Sequence, residues 1–268
     1  LLVIWQMQLS AELIWLPIVG VVLMLLMVGI STGLFTLLKL DRTTRLTLIL
    51  AGGLSNLGYT GGAFVCYAIF GFEGLAQANL YFVLWVPVVY LIFFPILKYH
   101  EHHSKGIDAK LSWKSILDAR CMACPAVIMA VILNLTHVKV PSFVPKLYIV
   151  DILVYAASSL SFFSIGLRVK LQRLINYTRL YFPLLAIKFV LTPIVACLLI
   201  GLLNLTGHNL TTLVQNVIIV LSVAPSAVLM VTMSNVFDLD GPLASALCVV
   251  TTAVFAFVVV PVLFFVFA

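Results

Sequence analysis

The residues best equipped for chemistry sit in apolar company. The stretch "LAGGLSNLGYTGGAF", Leu50–Phe64, packs five glycines and Asn56 into a run that hydropathy assigns to hydrocarbon. Glycine is a poor helix former, and a buried asparagine in a membrane is costly unless something binds it. A helix broken at that depth frees backbone groups. Its half-helix N-terminus offers N–H donors and a positive dipole end to an anion, and its freed carbonyls can hold a cation. A second stretch, "LSVAPSAVLM", places Pro225 about 167 residues beyond Gly58. Proline removes a backbone donor, so both stretches interrupt a helix at matching places. Paired interruptions mark a transport site near the midplane. Asn56 and Ser226 add neutral donors and acceptors, and Gly58, Gly61 and Gly62 let a ligand approach the backbone. Close packing between small residues is the competing reading, but it gives no reason for both copies to break in register.

Lys188, in "LLAIKFVLTP", is the second polar outlier, about two turns inside its apolar run. It either snorkels to the surface or supplies a fixed positive charge beside the crossing, drawing in an anion or replacing a coupling cation. Asp151 and Glu12 lie within a turn of apolar-run ends and read as interfacial anchors. Cys121 and Cys124 form a C-x-x-C without a second ligand pair, and His100–His103 ("HEHH") lies in the most polar loop, so no metal site is expected. Asn-Leu-Thr sequons occur at Asn134, Asn204 and Asn209. No nucleophile elbow, zinc-spaced histidine pair or Walker A loop occurs, so neither an enzyme, a cofactor nor an ATP-driven pump is indicated.

These groups need elements to hold them, and composition says what kind. The 268 residues are 63% hydrophobic and 9% charged, with a mean hydropathy of +1.22. Soluble chains are about a quarter charged. The apolar runs are continuous rather than alternating, which excludes a β-barrel and defines an all-α polytopic membrane protein. Eight complete spans are expected, at 13–38, 47–69, 75–97, 116–136, 147–167, 181–204, 213–236 and 242–267. The net charge of +6 comes from Lys and Arg grouped in alternate spacers, so it reports orientation and not nucleic acid. Lys39, Arg42 and Arg45, the 98–120 loop, and Arg168, Lys170, Arg173 and Arg179 are then cytoplasmic.

An internal repeat organises the spans. "IFGFEG", Ile69–Gly74, resembles "VFDLDG", Val236–Gly241, and the apolar runs that follow carry Pro95 and Pro261. An odd number of helices per repeat inverts one copy relative to the other. The whole of 1–268 reads as one membrane unit, with 11–97 the remainder of the first repeat and 116–268 the second. About 45 residues, one helix and most of another, are expected to precede the chain, which opens on Leu. The intact protein would then have ten helices in two inverted sets of five.

"LKLDRTTRLTLILAGGLSNLGYTGGAFVCYAIFGFEGLAQANLYFVLWV" resembles the fourth and fifth helices of the auxin efflux carrier family, with its N-x-G-[FY]-x-G-x-P crossover. "LSFFSIGLRV", "IKFVLTP" and "SVAPSAVLMVTMSNVFDLD" are similar to its seventh, eighth and ninth helices. The resemblance implies the fold of the bile-acid/sodium symporters, in which a scaffold carries a transport domain containing two crossing helices. It implies elevator-type secondary transport exporting a small organic anion, a carboxylate, with H+ or Na+ as a coupling ion. It also implies a multi-pass place in the plasma (inner) membrane bilayer and a homodimer through the scaffold helices. Asn56 matches the crossover asparagine, Gly58 and Gly61 its glycines, Pro225 the first proline of the second crossover, and Lys188 the basic residue of the eighth helix. Ala63 and Ser226 stand where prolines are usual, which leaves the cargo open. The alternatives are a sodium-coupled importer of bile-acid type and a ligand sensor without flux.

Overall fold

The computed structural model describes residues 2–6, 10–105, 129–166 (apart from 131, 137, 139 and 142) and 177–267. The C-x-x-C at Cys121 and Cys124, most of the expected span 116–136 and the basic residues Arg168, Lys170 and Arg173 lie outside the described residues, as do the side chains of His100–His103.

Among the described residues, four helices are long and apolar enough to cross a membrane: Ala11–Leu37, Gly62–Phe82, Thr178–Leu205 and Gly241–Phe267. The chain is an all-α membrane protein. Helix α1 is Trp15–Leu37, α2 is Arg42–Gly53 and α3 is Gly62–Phe82. Helix α4 runs from Trp85–Val88 through Val89–Phe93 into Phe94–Lys105, and α5 is Ile149–Gly166. Helix α6 is Thr178–Leu205, α7 is Thr212–Ser222, α8 is Val228–Val236 and α9 is Gly241–Phe267. Helix α1 packs on α2 and α3, α3 on α7, and α9 on both α2 and α8.

Two expected spans, 47–69 and 213–236, are each a pair of half-helices. The first breaks between Gly53 and Gly62, the second between Ser222 and Val228. The spacer expected at 70–74 is not a loop. Helix α3 passes through it with a one-residue kink at Gly71, whose φ of 65° is one glycine adopts without a Cβ penalty. Asp238, in the matching position between α8 and α9, has φ 51°.

Prolines shape three of the long helices in one way. Wide-turn π segments occupy Val89–Phe93, Ile187–Leu191 and Phe255–Val259, and Pro95, Pro193 and Pro261 each follow two residues later. A proline inside a helix lacks the N–H for its own bond and crowds the carbonyl four residues back. One extra residue in the turn relieves that crowding.

The helix ends are tied by side chains. Asp41 caps α2 by accepting from the Thr44 amide, at 3.0 Å. That bond, with the hydroxyls of Thr43 and Thr44, holds its carboxyl below the usual range. Glu12 is more than an interfacial anchor, because its Oε2 accepts from the Thr211 amide at 2.8 Å and so places a negative charge at the start of α7. Asp240 caps α9 through the Leu243 amide at 2.9 Å, while its own amide donates to Thr47 Oγ1 of α2 at 3.2 Å. Asp240→Ala is expected to lower stability by about 1 kcal/mol, the usual contribution of a capping side chain. Asp240→Asn should keep most of it. Thermal melting of both purified variants checks this, and equal loss in the two would remove the cap as the cause.

Candidate functional site

The two breaks meet. Leaving α2, the chain extends through Leu54–Leu57 and runs antiparallel to Ala224–Ala227, so that Ser55 pairs with Ser226. The Asn56 amide donates to the Pro225 carbonyl at 2.7 Å, and the Ala227 amide donates to the Leu54 carbonyl at 3.0 Å. Ser226 adds two more ties, with Oγ donating to Ala51 O at 2.8 Å and the amide donating to Thr251 Oγ1 of α9 at 3.2 Å. Each break thus satisfies backbone groups that the other has freed.

Of the seven residues singled out by the sequence, Asn56, Gly58, Gly61, Gly62, Pro225 and Ser226 belong to this crossing. Gly61 is needed for close approach, because a Cβ on it would stand 2.1 Å from the Asn56 carbonyl oxygen. Around Gly58 there is open space, with nothing within 4 Å of an added Cβ. Lys188 reaches the crossing from α6. Its side chain is fully buried, and Nζ donates to Leu54 O at 3.0 Å and to Ser55 Oγ at 2.8 Å.

Three expectations need correction. Lys188 does not snorkel: its ammonium lies at the C-terminal end of α2, where a cation complements the helix dipole. Asn56 is not an open side chain either. It is 8% exposed, accepts from Thr60 Oγ1 at 2.8 Å and donates to Thr60 O at 3.4 Å. The two half-helix N-termini are also unequal. In α3 the first amides are spent within the loop, Gly62 on Asn56 O at 3.1 Å and Ala63 on Leu57 O at 2.9 Å. In α8 the amides of Val228 and Leu229 have no acceptor among the described residues, and both residues are only half-buried.

Side chains alternate along the extended segment. Ser55 and Leu57 face a cleft of about 280 Å³ between the crossing and α1, lined further by Met24, Met27, Tyr81 and Thr192. None of the seven candidates lines that cleft. Sequence reading missed Ser55, Thr60 and Thr251. Each is a hydroxyl in an apolar run and was the available signal, but single hydroxyls in membrane helices are common and usually bond their own backbone.

No family model matches this chain, and no curated protein matches it either. The site therefore rests on its own chemistry: a buried lysine Nζ at one half-helix C-terminus and unused amide donors at another half-helix N-terminus.

Gly61→Ala is expected to disrupt the crossing, because its new methyl meets backbone and not a yielding side chain, whereas Gly58→Ala should fold. An overpacked contact of this kind costs about 1–3 kcal/mol or more. Melting temperatures of the two variants decide it. A Gly61→Ala protein as stable as the Gly58→Ala protein would show that the loop relaxes away from Asn56.

Proposed function

We propose that this chain belongs to a secondary transporter of the auxin efflux carrier type, exporting a small organic carboxylate by an elevator mechanism across the plasma (inner) membrane. The observation that carries the proposal is the crossing itself. Two broken helices meet with a lysine ammonium on one C-terminal end and open amides on one N-terminus. A carboxylate seated at Val228 and Leu229 would find two donors and a positive dipole end.

The inverted-repeat reading draws support from backbone detail. Gly71 and Asp238 share a left-handed φ at the repeat spacing. The π segments before Pro95 and Pro261 recur at nearly that spacing. Phe70 and its equivalent Phe237 each meet a phenylalanine edge-on, Phe267 at 5.9 Å and Phe94 at 5.2 Å, although these two partners are not themselves equivalent. The division into 11–97 and 116–268 follows from the same reading, whereas a scaffold and a homodimer through it rest on the family resemblance alone.

Lys188 bears on the coupling ion within this proposal. Its Nζ occupies the carbonyl end that a sodium-coupled importer would give to Na+. Flux of a small carboxylate from proteoliposomes of the intact protein should therefore be unchanged when sodium is replaced by potassium. Lys188→Gln should reduce that flux at least tenfold. It should also destabilise the fold by about 1–3 kcal/mol, because Ser55 Oγ and the second lone pair of Leu54 O lose the buried Nζ donor, while the Ala227 amide still meets Leu54 O. Lys188→Arg should fail as well, since a fully buried pocket shaped to an ammonium has no room for a guanidinium. Strict sodium dependence would favour the importer. Carboxylate binding, by thermal shift, without flux would favour the sensor.

A further inference from the structure

A second cluster, away from the crossing bonds, joins α3 to α5. The Tyr67 hydroxyl donates to Asp151 Oδ1, so Asp151 is a partner in the protein and not a free anchor. The Tyr155 ring, one turn beyond Asp151, meets Tyr67 edge-on at 6.0 Å and 78° and Phe64 at 6.4 Å and 75°. Phe64 and Tyr67 are three residues apart and share a face of α3. That face begins one turn from Gly61, where the half-helix leaves the crossing. The cluster is polar at one point and aromatic at two, and all four side chains are partly open rather than sealed in the core.

We infer that Tyr67, Asp151, Tyr155 and Phe64 form a latch that holds α3 against α5 and closes the crossing toward the outer side. The inference rests on the transporter reading for its purpose but not for its test. A single hydroxyl-to-carboxylate bond backed by edge-on rings is strong enough to favour one arrangement and weak enough to break in each cycle. Helix α5 otherwise presents a broad apolar face, with Ile152, Leu153, Leu160 and Phe163 more than half exposed. It can thus shift against α3 without tearing a packed core.

The test measures access to the crossing without a substrate. Gly58→Cys is placed in a full-length protein whose native cysteines have been replaced, since open space surrounds Gly58. An impermeant maleimide is then added to the outside of intact cells. Tyr67→Phe, which keeps the ring and removes only the hydroxyl, should raise the labelling rate on the order of tenfold, the scale of a hydrogen bond to a charged group. Asp151→Ala should do the same, and the double variant should match either single one. Unchanged rates in Tyr67→Phe overturn the latch, as do additive effects in the double variant or an absence of labelling throughout. If access rises as expected while no carboxylate moves in proteoliposomes, the latch stands and the transport reading falls.

Discussion

A break in a membrane helix is tolerable only where the backbone groups it frees find partners in the protein or line a cavity, because hydrocarbon offers none. This constraint governs the centre of the molecule. The first break strands the carbonyls at the end of α2, and the second strands the amides ahead of α8. Laying Leu54–Leu57 antiparallel to Ala224–Ala227 lets one set serve the other, through the Asn56–Pro225 and Ala227–Leu54 bonds. Neither break is viable without its counterpart. Segments some 170 residues apart must therefore dock before either can be held at depth, and the surrounding helices are arranged to bring them together.

The prolines extend that logic outward. Pro193 lies in neither break, yet it follows two residues after the wide turn that carries Lys188. A π segment adds one residue to a turn, which rotates the helix beyond it by about 100° relative to an unbroken α-helix. Lys188 sits within that segment, at Ile187–Leu191. Thr192 Oγ1 closes the loosened turn by donating to Ile187 O at 2.7 Å. The ammonium then arrives at the Leu54 carbonyl, already the acceptor for Ala227. One oxygen thus takes a backbone donor from Ala227 and a second donor from Lys188 Nζ.

The class of protein and the positions of the breaks were legible because they follow from local chemistry. Continuous apolar runs, glycine clusters and Pro225 act on their own segments. The fate of Lys188 was not legible, because snorkelling and burial differ only in whether a partner waits, and that partner lies 134 residues away. The same holds for Ser226, whose acceptor is Ala51 O, and for the amide that meets Thr251. Asn56 misled for the opposite reason. Its partner Thr60 is four residues off, and a local asparagine–threonine bond was available to be foreseen. The kink at Gly71 was misread as a spacer because a glycine flanked by Phe70, Phe72 and Glu73 resembles a turn, while the helix needs only one left-handed residue to pass through.

The two breaks have also diverged in use, and length explains how. The first has eight residues between its half-helices, enough for the chain to fold back and spend the Gly62 and Ala63 amides on Asn56 O and Leu57 O. The second has five, too few for such a loop, so its following amides stay unspent. The longer break therefore neutralises its own N-terminus and presents its C-terminus, where Lys188 is fixed. The shorter one presents its N-terminus. A site assembled from one end of each break carries a built-in cation beside open donors, an arrangement that two identical breaks could not produce. On the proposed reading this asymmetry, more than the break itself, selects an anion as the cargo.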